Sequence, residues 1–497
     1  MTAGVTPGRA VGGLPRTAWL PVGVVLVVQA VVLTALSGRY GFHRDELYFL
    51  AAGRHLAWGY VDQPALTPAL ARLAGDLFGD SPAGLRVVAT LCGLGTVLLA
   101  ALAARELGGG RAAQVFTAAA TALSTVVLVV AHMLSTTTVD LVVWTAFAVV
   151  MLRLTRTGDP RWWLAAGAVA GVGLQNKWLL PLLCAGWAVA LLAVGPRAVL
   201  RSGWLVAGLG VAAVLAAPAV VWQATNGWPL LTVASDISGS DGAENRLLFV
   251  PLQLVYLSPV LVPVLVAGAL RVWRDPGLRW ARAAVLVYPV VAVAVLVLGG
   301  KAYYAIPPLL VLLAAGAQPA VEWLARGTPG RRRSAAVAAV IGVTMSVLIG
   351  LPVLPPAQLG PVLAMNKEAG EQVGWPELVD TVAVAWRVVP PAERAGTVLF
   401  TSNYGQAGAI DRYGPERDLP AAHSGHMSYA DWGPPPDTMT GSVLVVGAAV
   451  ARFDGCYPLA VHRSPDGLDN EEDGTVISRC PAPDRWSAVW PELRHGY

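Results

Sequence analysis

Two adjacent carboxylates, Asp45 and Glu46, stand in a polar stretch that directly follows the first long apolar segment of the chain. Ionisable groups beside a membrane span are costly unless they have a partner or a task. A carboxylate that is partly removed from water gains proton affinity and can serve as a general base. The pair therefore predicts acid–base chemistry. The alternative is a helix start, where the helix dipole favours acidic side chains.

Two further acids lie near the ends of apolar segments. Asp62 precedes Gln63 and Pro64, which makes it either a turn residue or a second acid that faces the same cavity. Asp140 opens a later apolar segment, where an acid commonly complements the helix dipole. We predict that Asp140 lies on the same side of the membrane as Asp45.

Lysine occurs three times, and two of these residues, Lys177 and Lys301, stand between apolar segments. Such lysines either anchor helix ends at the membrane interface or bind an anion such as a lipid phosphate. Three residues near the acidic pair are candidates for the same anion site: Arg44, Arg54 and His55.

Aromatic side chains beside amides are found where another apolar segment ends, at Trp222 and Asn226. Flat aromatic faces beside amides suit sugars, although tryptophan is also routine at membrane interfaces. The glycine- and serine-rich segment 236–244 that follows is predicted to be a mobile loop. The segments Asn403–Gly408 and Ser424–Gly433 have the composition either of ligand-contacting loops or of ordinary turns.

The composition indicates a polytopic membrane protein. Of 497 residues, 55% are hydrophobic and 13% are charged, whereas soluble chains average about 25% charged residues. A large soluble enzyme is therefore excluded. The net charge of +4 is modest, and the glycine motifs of nucleotide-binding loops are missing. Neither a nucleic-acid partner nor a nucleotide-driven motor is predicted.

Apolar segments long enough to cross about 30 Å of hydrocarbon recur up to residue 355. We predict about eleven transmembrane helices, the first of them retained and not cleaved as a signal peptide. The predicted spans are 18–37, 84–104, 112–131, 137–152, 162–176, 178–195, 203–222, 247–270, 283–298, 302–319 and 334–354.

Arginines cluster on alternate connections between these spans, which sets the orientation by the positive-inside rule. The predicted cytoplasmic set contains Arg9 and Arg16 and the clusters within 105–111, 153–161, 197–201, 271–282 and 326–333. We therefore predict a plasma-membrane protein with a cytoplasmic N-terminus. The outer loop 38–83 and the C-terminal region are predicted to be extracytoplasmic.

Residues 1–355 are predicted to form the transmembrane domain and residues 356–497 a small α/β extracytoplasmic domain. In the latter we predict strands at 397–400, 442–446 and 475–478 and helices at 375–389 and 404–413. If this region lies outside the cytoplasm, Cys456 and Cys480 are predicted to form a disulfide. Cys92 and Cys184 lie in spans and are interpreted as apolar core residues.

Five motifs together resemble the GT-C-type membrane glycosyltransferases, in particular the branch related to protein O-mannosyltransferases and to the lipid A aminoarabinose transferase. The resemblance covers most of residues 20–320 and the tail more loosely. The motifs are Arg44-Asp-Glu-Leu-Tyr48, Trp58-Gly-Tyr-Val-Asp-Gln-Pro64, Thr136-Thr-Thr-Val-Asp140, Trp222-Gln…Asn226-Gly-Trp-Pro229 and Lys301-Ala-Tyr-Tyr304.

The resemblance implies that Asp45 is the catalytic base, with Glu46 beside it. Asp45 deprotonates an acceptor hydroxyl, which attacks the anomeric carbon of a sugar on a polyprenyl phosphate, and cations stabilise the departing lipid phosphate. Relatives commonly carry Lys or His where this chain has Gln63, so Lys177, Lys301 or Arg54 must supply that charge. The predicted substrate-binding residues are Asp62, Asp140, Arg44, Arg54, His55, Tyr60, Lys177, Lys301, Tyr303, Tyr304, Trp222 and Asn226.

We therefore predict a polytopic α-helical, GT-C-like protein that acts as an inverting hexosyl- or pentosyltransferase at the outer face of the plasma membrane. Its predicted partners are the polyprenyl-phosphate sugar, membrane lipid and a glycan, lipid or protein acceptor. The alternatives are a membrane transporter or lipid flippase and a non-catalytic scaffold for wall assembly. No Cys/His cluster indicates a metal site, and the sequence leaves open whether a divalent cation assists.

Overall fold

The computed structural model describes residues 13–496, so that residues 1–12, among them Arg9, and residue 497 lie outside the described part of the chain. Helices make up almost all of the chain as far as Gly350. In order they are α1 (Trp19–Leu36), α2 (Arg44–Arg54), α3 (Leu66–Phe78), α4 (Pro82–Glu106), α5 (Arg111–Ala122), α6 (Thr125–His132), α7 (Thr136–Thr157), α8 (Trp162–Leu174), α9 (Leu180–Val194), α10 (Gly203–Thr225), α11 (Pro229–Ser240), α12 (Gly242–Leu257), α13 (Val262–Arg274), α14 (Arg282–Leu298), α15 (Pro307–Ala325) and α16 (Pro329–Gly350).

Within residues 13–496, 7 helices are long and apolar enough to cross a membrane on their own. Two bent pairs, α5 with α6 at 60° and α12 with Pro259–Arg274 at 80°, bring the number to 9 if each pair is one span. The apolar helices α8 and α9 are shorter, with 13 and 15 residues. The predicted polytopic helical fold is confirmed. The predicted number of about eleven spans is reached only when both bent pairs and both short helices are counted.

Two local predictions are corrected. The segment 236–244, predicted to be a mobile loop, forms the end of α11 and the start of α12. It is held because Ser238 donates to the carbonyl of Leu298 and Asn245 to that of Gly299, both at 2.9 Å. The predicted span 137–152 is part of the 22-residue helix α7, which ends at Gly158 with a left-handed φ of 68°.

The C-terminal part forms a small sheet domain, as predicted. Its five strands have the order β2-β1-β3-β5-β4, with β2, β1 and β3 parallel and β5 and β4 antiparallel. The strands are β1 (Thr397–Thr401), β2 (Ala422–Ser424), β3 (Ser442–Val446), β4 (Tyr457–Val461) and β5 (Val476–Pro481). The helices are α17 (Gly360–Leu363), α18 (Trp375–Val388), α19 (Tyr404–Tyr413), α20 (Ser428–Asp431) and α21 (Trp486–Leu493).

The two central parallel strands, β1 and β3, are buried along their whole length. Their side chains pack against α18 and α19 on one face and against Trp486 and Trp490 on the other. Strands buried on both faces are continuous apolar runs in the sequence, which is why both were predictable. Leu47 and Tyr48 of α2 belong to the same core as α18 and α19. The acidic loop and the C-terminal domain are therefore packed together.

Candidate active site

The N-terminus of α2 is built by a capping box. The ring Nδ1 of His43 accepts the N–H of Asp45 at 3.0 Å, and the carboxylate of Glu46 accepts the N–H of His43 at 2.8 Å. Asp45 is thereby fixed in the first turn, where the helix dipole favours an ionised carboxylate. Asp45 and Glu46 thus both lie in the first turn of α2, and their side chains point in different directions.

Glu46 is completely buried. Its carboxylate accepts hydrogen bonds from the Arg86 guanidinium at 3.0 and 2.8 Å and from the N–H of Leu134 at 2.9 Å. Arg86, only 1% exposed, also donates to the carbonyls of Ser37 and Gly41, both at 2.6 Å. The prediction that Glu46 is catalytic is therefore corrected, because this carboxylate neutralises Arg86 and ties the loop to α4.

Asp45 faces the C-terminal domain. Its Oδ1 accepts a hydrogen bond from the phenol of Tyr404 at 2.8 Å. Asp62 is held in a similar way by the phenol of Tyr48, also at 2.8 Å. Burial raises the pKa of Asp62 to about 6; the hydrogen bond from Tyr48 opposes this shift and the charge of Asp45 adds to it. The two acids therefore lie within electrostatic reach of each other.

Glu368, which the sequence did not single out, also lies beside this helix start. Because Nδ1 of His43 accepts the N–H of Asp45, Nε2 of His43 carries the proton and donates to Glu368 at 2.8 Å. Burial favours a higher pKa for Glu368, but His43 and the charge of Lys301 outweigh it and lower the pKa to about 2. The side chain is 46% exposed, so this ionised carboxylate borders open space.

Lys177 lies in the turn between α8 and α9. Its ammonium stands over the rings of Tyr303 and Tyr304, 5.4 and 4.9 Å from their centroids. Burial lowers the pKa of Lys177 to about 8; the charge of Asp140 opposes this shift and that of Lys301 adds to it. At neutral pH, Lys177 is therefore a cation held in place by two aromatic rings.

Asp140 lies in α7 just beyond its first turn, 6% exposed, and its Oδ1 has no hydrogen-bond partner among the described residues. The neighbouring hydroxyl of Thr137 accepts a hydrogen bond from Lys177 at 3.2 Å. The charges of Asp45 and Glu368 act on Lys177 as well. Residues from several sequence motifs thus converge at the same end of the helices, where they form one group of carboxylates and two lysines.

Three predicted residues of α2 and its flank do not converge on one anion site. Along the helix, Arg44 and Arg54 are separated by about 15 Å. Arg44 is bound by Glu471 at 2.6 Å. Arg54 pairs with Asp80 at 3.4 Å, and the ring of His55 stacks on Trp432 with centroids 4.3 Å apart. The predicted grouping of Arg44, Arg54 and His55 is therefore wrong.

Three other predicted residues have structural contacts. The phenol of Tyr60 donates to the carbonyl of Ala52 at 3.0 Å and so closes the turn after α2. The ring of Trp222 covers Gly59, where a Cβ atom would come within 2.6 Å of it. Asn226 donates to the carbonyl of Trp222 at 2.8 Å and caps the end of α10. These contacts do not support substrate-binding roles for Tyr60, Trp222 and Asn226.

Gln63 occupies the position where relatives commonly carry a basic residue. It is 2% exposed, and neither of its amide atoms has a hydrogen-bond partner within residues 13–496. Gln63 adds no positive charge, and Arg54 is engaged elsewhere. Lys177 and Lys301 are the two predicted cations whose charges act within this group: Asp140 and Asp45 act on Lys177, and Lys301 acts on Lys177 and Glu368.

The arginine-rich connections lie at the opposite end of the helices. Glu106, 2% exposed, accepts hydrogen bonds from Arg153 and Arg156, both at 2.8 Å. Arg153 lies about 24 Å along α7 from Thr137, which accepts the hydrogen bond from Lys177. The candidate site and the arginines are thus separated by a distance close to the thickness of the hydrocarbon core.

The remaining predictions concern cysteines and metal ligands. Cys456 and Cys480 form a disulfide with a Cα–Cα distance of 4.1 Å, which joins the start of β4 to β5. Cys92 and Cys184 are free and partly buried. In the described part of the chain, no group of three or more His, Cys, Asp or Glu residues is placed to hold a metal ion.

Comparisons with known proteins concern the family and the fold. Residues 62–222 match the family model of dolichyl-phosphate-mannose-protein mannosyltransferases. The structure of ArnT from Cupriavidus metallidurans bound to undecaprenyl phosphate matches with a TM-score of 0.60 and 17% identity, over 93% of this chain and 98% of that chain. The apo form of that protein matches with a TM-score of 0.56 and 16% identity over the same shares. A search of curated protein sequences gives no match.

The family model and the shared fold both bear on the resemblance predicted from the sequence. The predicted resemblance to GT-C-type membrane glycosyltransferases is confirmed by the family model over residues 62–222 and by the fold over 93% of the chain. The chain is a multi-pass membrane protein with the ArnT fold. Neither the family model nor these structures support the alternative of a transporter or flippase.

Proposed function

We propose that this protein is an inverting glycosyltransferase that moves a hexosyl or pentosyl group from a polyprenyl phosphate to a hydroxyl acceptor. The observation that carries the proposal is the placement of the Asp45 carboxylate with Lys177 and Lys301 at the end of the helices away from the arginines. The dolichyl-phosphate-mannose in the name of the family model and the undecaprenyl phosphate bound to ArnT support this class of donor.

The reaction is a single displacement. The acceptor hydroxyl gives its proton to the carboxylate of Asp45 while its oxygen forms the new bond to the anomeric carbon. The bond from that carbon to the phosphate oxygen breaks on the opposite face, so the configuration inverts. The polyprenyl phosphate leaves with the electron pair of this bond. Lys177 and Lys301 stabilise the charge that develops on the departing phosphate, and no proton donor is needed for it.

The positive-inside rule orients the site. With the arginine-rich end at the cytoplasm, Asp45 and the C-terminal domain face the extracytoplasmic side, where a lipid-linked sugar is already activated and no nucleotide is required. This placement divides the chain into a transmembrane domain of residues 1–355 and an extracytoplasmic domain of residues 356–497. It also favours a cell-envelope glycan, lipid or protein as the acceptor.

The proposal is tested with purified protein in lipid nanodiscs, supplied with a panel of polyprenyl-phosphate hexoses and pentoses and with extracted envelope acceptors. Mass spectrometry is expected to show equal amounts of free polyprenyl phosphate and of an acceptor heavier by one anhydrosugar. Envelope material from cells with and without the protein should differ by the same mass. Movement of lipid across vesicle membranes without any new glycosidic product would contradict the proposal.

Replacing Lys177 with methionine is expected to lower kcat/KM by about 10- to 100-fold, because the leaving phosphate loses a charge-assisted contact. Methionine has a side chain of similar length that still packs against Tyr303 and Tyr304, while the cation above their rings is removed. Lys367 is a matched control: it is 76% exposed and pairs with Glu244 at 3.5 Å. The Lys367→Met variant should remain within about twofold of the wild-type rate. Equal rates for the two variants would remove Lys177 from the phosphate site.

A further inference from the structure

One contact between the two parts of the chain is unexplained by the reaction as described. The phenol of Tyr404, at the start of α19, reaches across to Oδ1 of Asp45 at 2.8 Å, although 359 residues separate them in the sequence. Within the described residues, Oδ2 of Asp45 accepts no hydrogen bond. A carboxylate held through one oxygen has a fixed plane, and its second oxygen is free to take a proton.

The close packing of α19 against α2 explains how the phenol of Tyr404 reaches Asp45. A Cβ atom at Gly405 would lie 2.5 Å from Cγ of Arg44, and one at Gly408 would lie 3.0 Å from the backbone of Leu47. Both glycines therefore permit an approach that any larger residue would prevent. They lie three positions apart, on the same face of the helix. The sequence Asn403–Gly408 is thus built for a close contact with the catalytic loop.

The ring of Tyr404 is fixed as firmly as its hydroxyl. It contacts the rings of Tyr48 and His426, with centroid distances of 4.7 and 5.0 Å. The guanidinium of Arg44 stands 5.5 Å from its centroid. The backbone N–H of Tyr404 donates to Nδ1 of His426 at 3.3 Å. These contacts with two rings and a guanidinium leave the phenol little freedom to turn away from the carboxylate.

We propose that Tyr404 is a positioning residue for the catalytic carboxylate of Asp45, so that the C-terminal domain completes the active site. This inference rests on the proposed function. Tyr404 orients the carboxylate and stabilises its ionised form, while Oδ2 faces the acceptor hydroxyl and takes its proton. The sugar-transfer step then depends on the docking of a domain that lies outside the membrane.

The charges around this pair determine how the contact responds to pH. Burial and the charge of Asp45 raise the pKa of Tyr404 well above its usual value, so the phenol keeps its proton and remains a donor. The other ionisable groups that face the pair come from every neighbouring element: His43 and Arg44 from α2, Asp62 from the outer loop, Lys177 from the turn between α8 and α9, Glu368 and Glu371 before α18, and His426 and Glu471 from the C-terminal domain.

The test is the pH dependence of kcat/KM in the full-length Tyr404→Phe variant. Phenylalanine keeps the ring contacts but removes the donor, so the carboxylate form of Asp45 is less stable. The acidic limb of the profile is expected to move up by about 1 pH unit. Because the carboxylate also loses the contact that fixes its plane, kcat/KM on the plateau above that limb is expected to fall about tenfold, with little change in KM. Incorporation of 3-fluorotyrosine at position 404 makes the phenol a stronger donor and should move the limb to lower pH.

Tyr429→Phe is the matched control, because the phenol of Tyr429 donates to Asp411 at 2.7 Å in the same domain. Its pH profile should coincide with that of the wild-type protein. An acidic limb that stays in place in both Tyr404 variants, or that moves equally in Tyr429→Phe, overturns the role of Tyr404. Failure of the proposed function looks different, because the wild-type protein then transfers no sugar at any pH.

Discussion

Replacing Asp45 with asparagine is expected to lower kcat for sugar transfer by about 10²- to 10⁴-fold and to leave the protein folded. Asparagine has nearly the same shape and can still accept the hydrogen bond from Tyr404. It cannot take a proton from the acceptor hydroxyl, so the attack proceeds without a base. Donor binding should change little, because the substitution leaves the proposed phosphate-binding lysines, Lys177 and Lys301, intact.

The measurement is single-turnover transfer from a polyprenyl-phosphate sugar, with the thermal unfolding midpoint as the test of folding. Asp484→Asn is the control, since Asp484 is an exposed acid on the C-terminal domain and this change removes the same charge. It should transfer sugar at the wild-type rate. Normal turnover in Asp45→Asn would show that Asp45 is not the base and would direct attention to Asp62 or Asp140.

The Arg86→Met substitution should have the largest effect on stability, lowering the free energy of unfolding by about 3–5 kcal/mol. Arg86 and Glu46 are both fully buried, with a shortest N–O distance of 2.8 Å. Removing the guanidinium leaves the Glu46 carboxylate buried without its counter-charge. The carbonyls of Ser37 and Gly41 lose their donors at the same time. The outer loop would then lose its attachment to α4.

Denaturant titration of the detergent-solubilised protein measures this loss. Arg72→Met is the matched control, because Arg72 pairs with Asp76 at 2.9 Å on the exposed surface of α3. Exposed pairs of this kind contribute less than about 1 kcal/mol. Adding Glu46→Gln to Arg86→Met removes the uncompensated charge and should restore part of the lost stability. If Arg86→Met and Arg72→Met unfold at the same denaturant concentration, the buried pair is not what holds the loop.

Much of the fold follows from local patterns in the sequence. Apolar runs predicted the positions of the long helices, and the unbroken apolar runs at β1 and β3 predicted the centre of the C-terminal sheet. The strands β2 and β4 were missed. β2 has three residues, and β4 is largely exposed, so neither has a hydrophobic pattern strong enough to be recognised.

The site was predictable only in part. Asp45 and Glu46 are neighbours of the same charge, and nothing local separates a catalytic role from a structural one. That difference comes from Arg86 in α4, which binds Glu46. Glu368 was missed, and Tyr404 was singled out only as part of the segment Asn403–Gly408, for the same reason: each meets α2 across more than three hundred residues of chain, at separations of 325 and 359.

By itself the sequence determined a multi-pass helical chain, its carboxylates and lysines between apolar segments, and a C-terminal sheet. These properties follow from hydrophobicity and periodicity, which act over a few neighbouring residues. Only the tertiary structure decided that Glu46 is neutralised by Arg86 and that Arg54 pairs with Asp80. It also decided that Lys177 lies against two tyrosines. Hydrogen bonds and ion pairs act over a few ångströms, so their partners are known only once distant segments have been brought together.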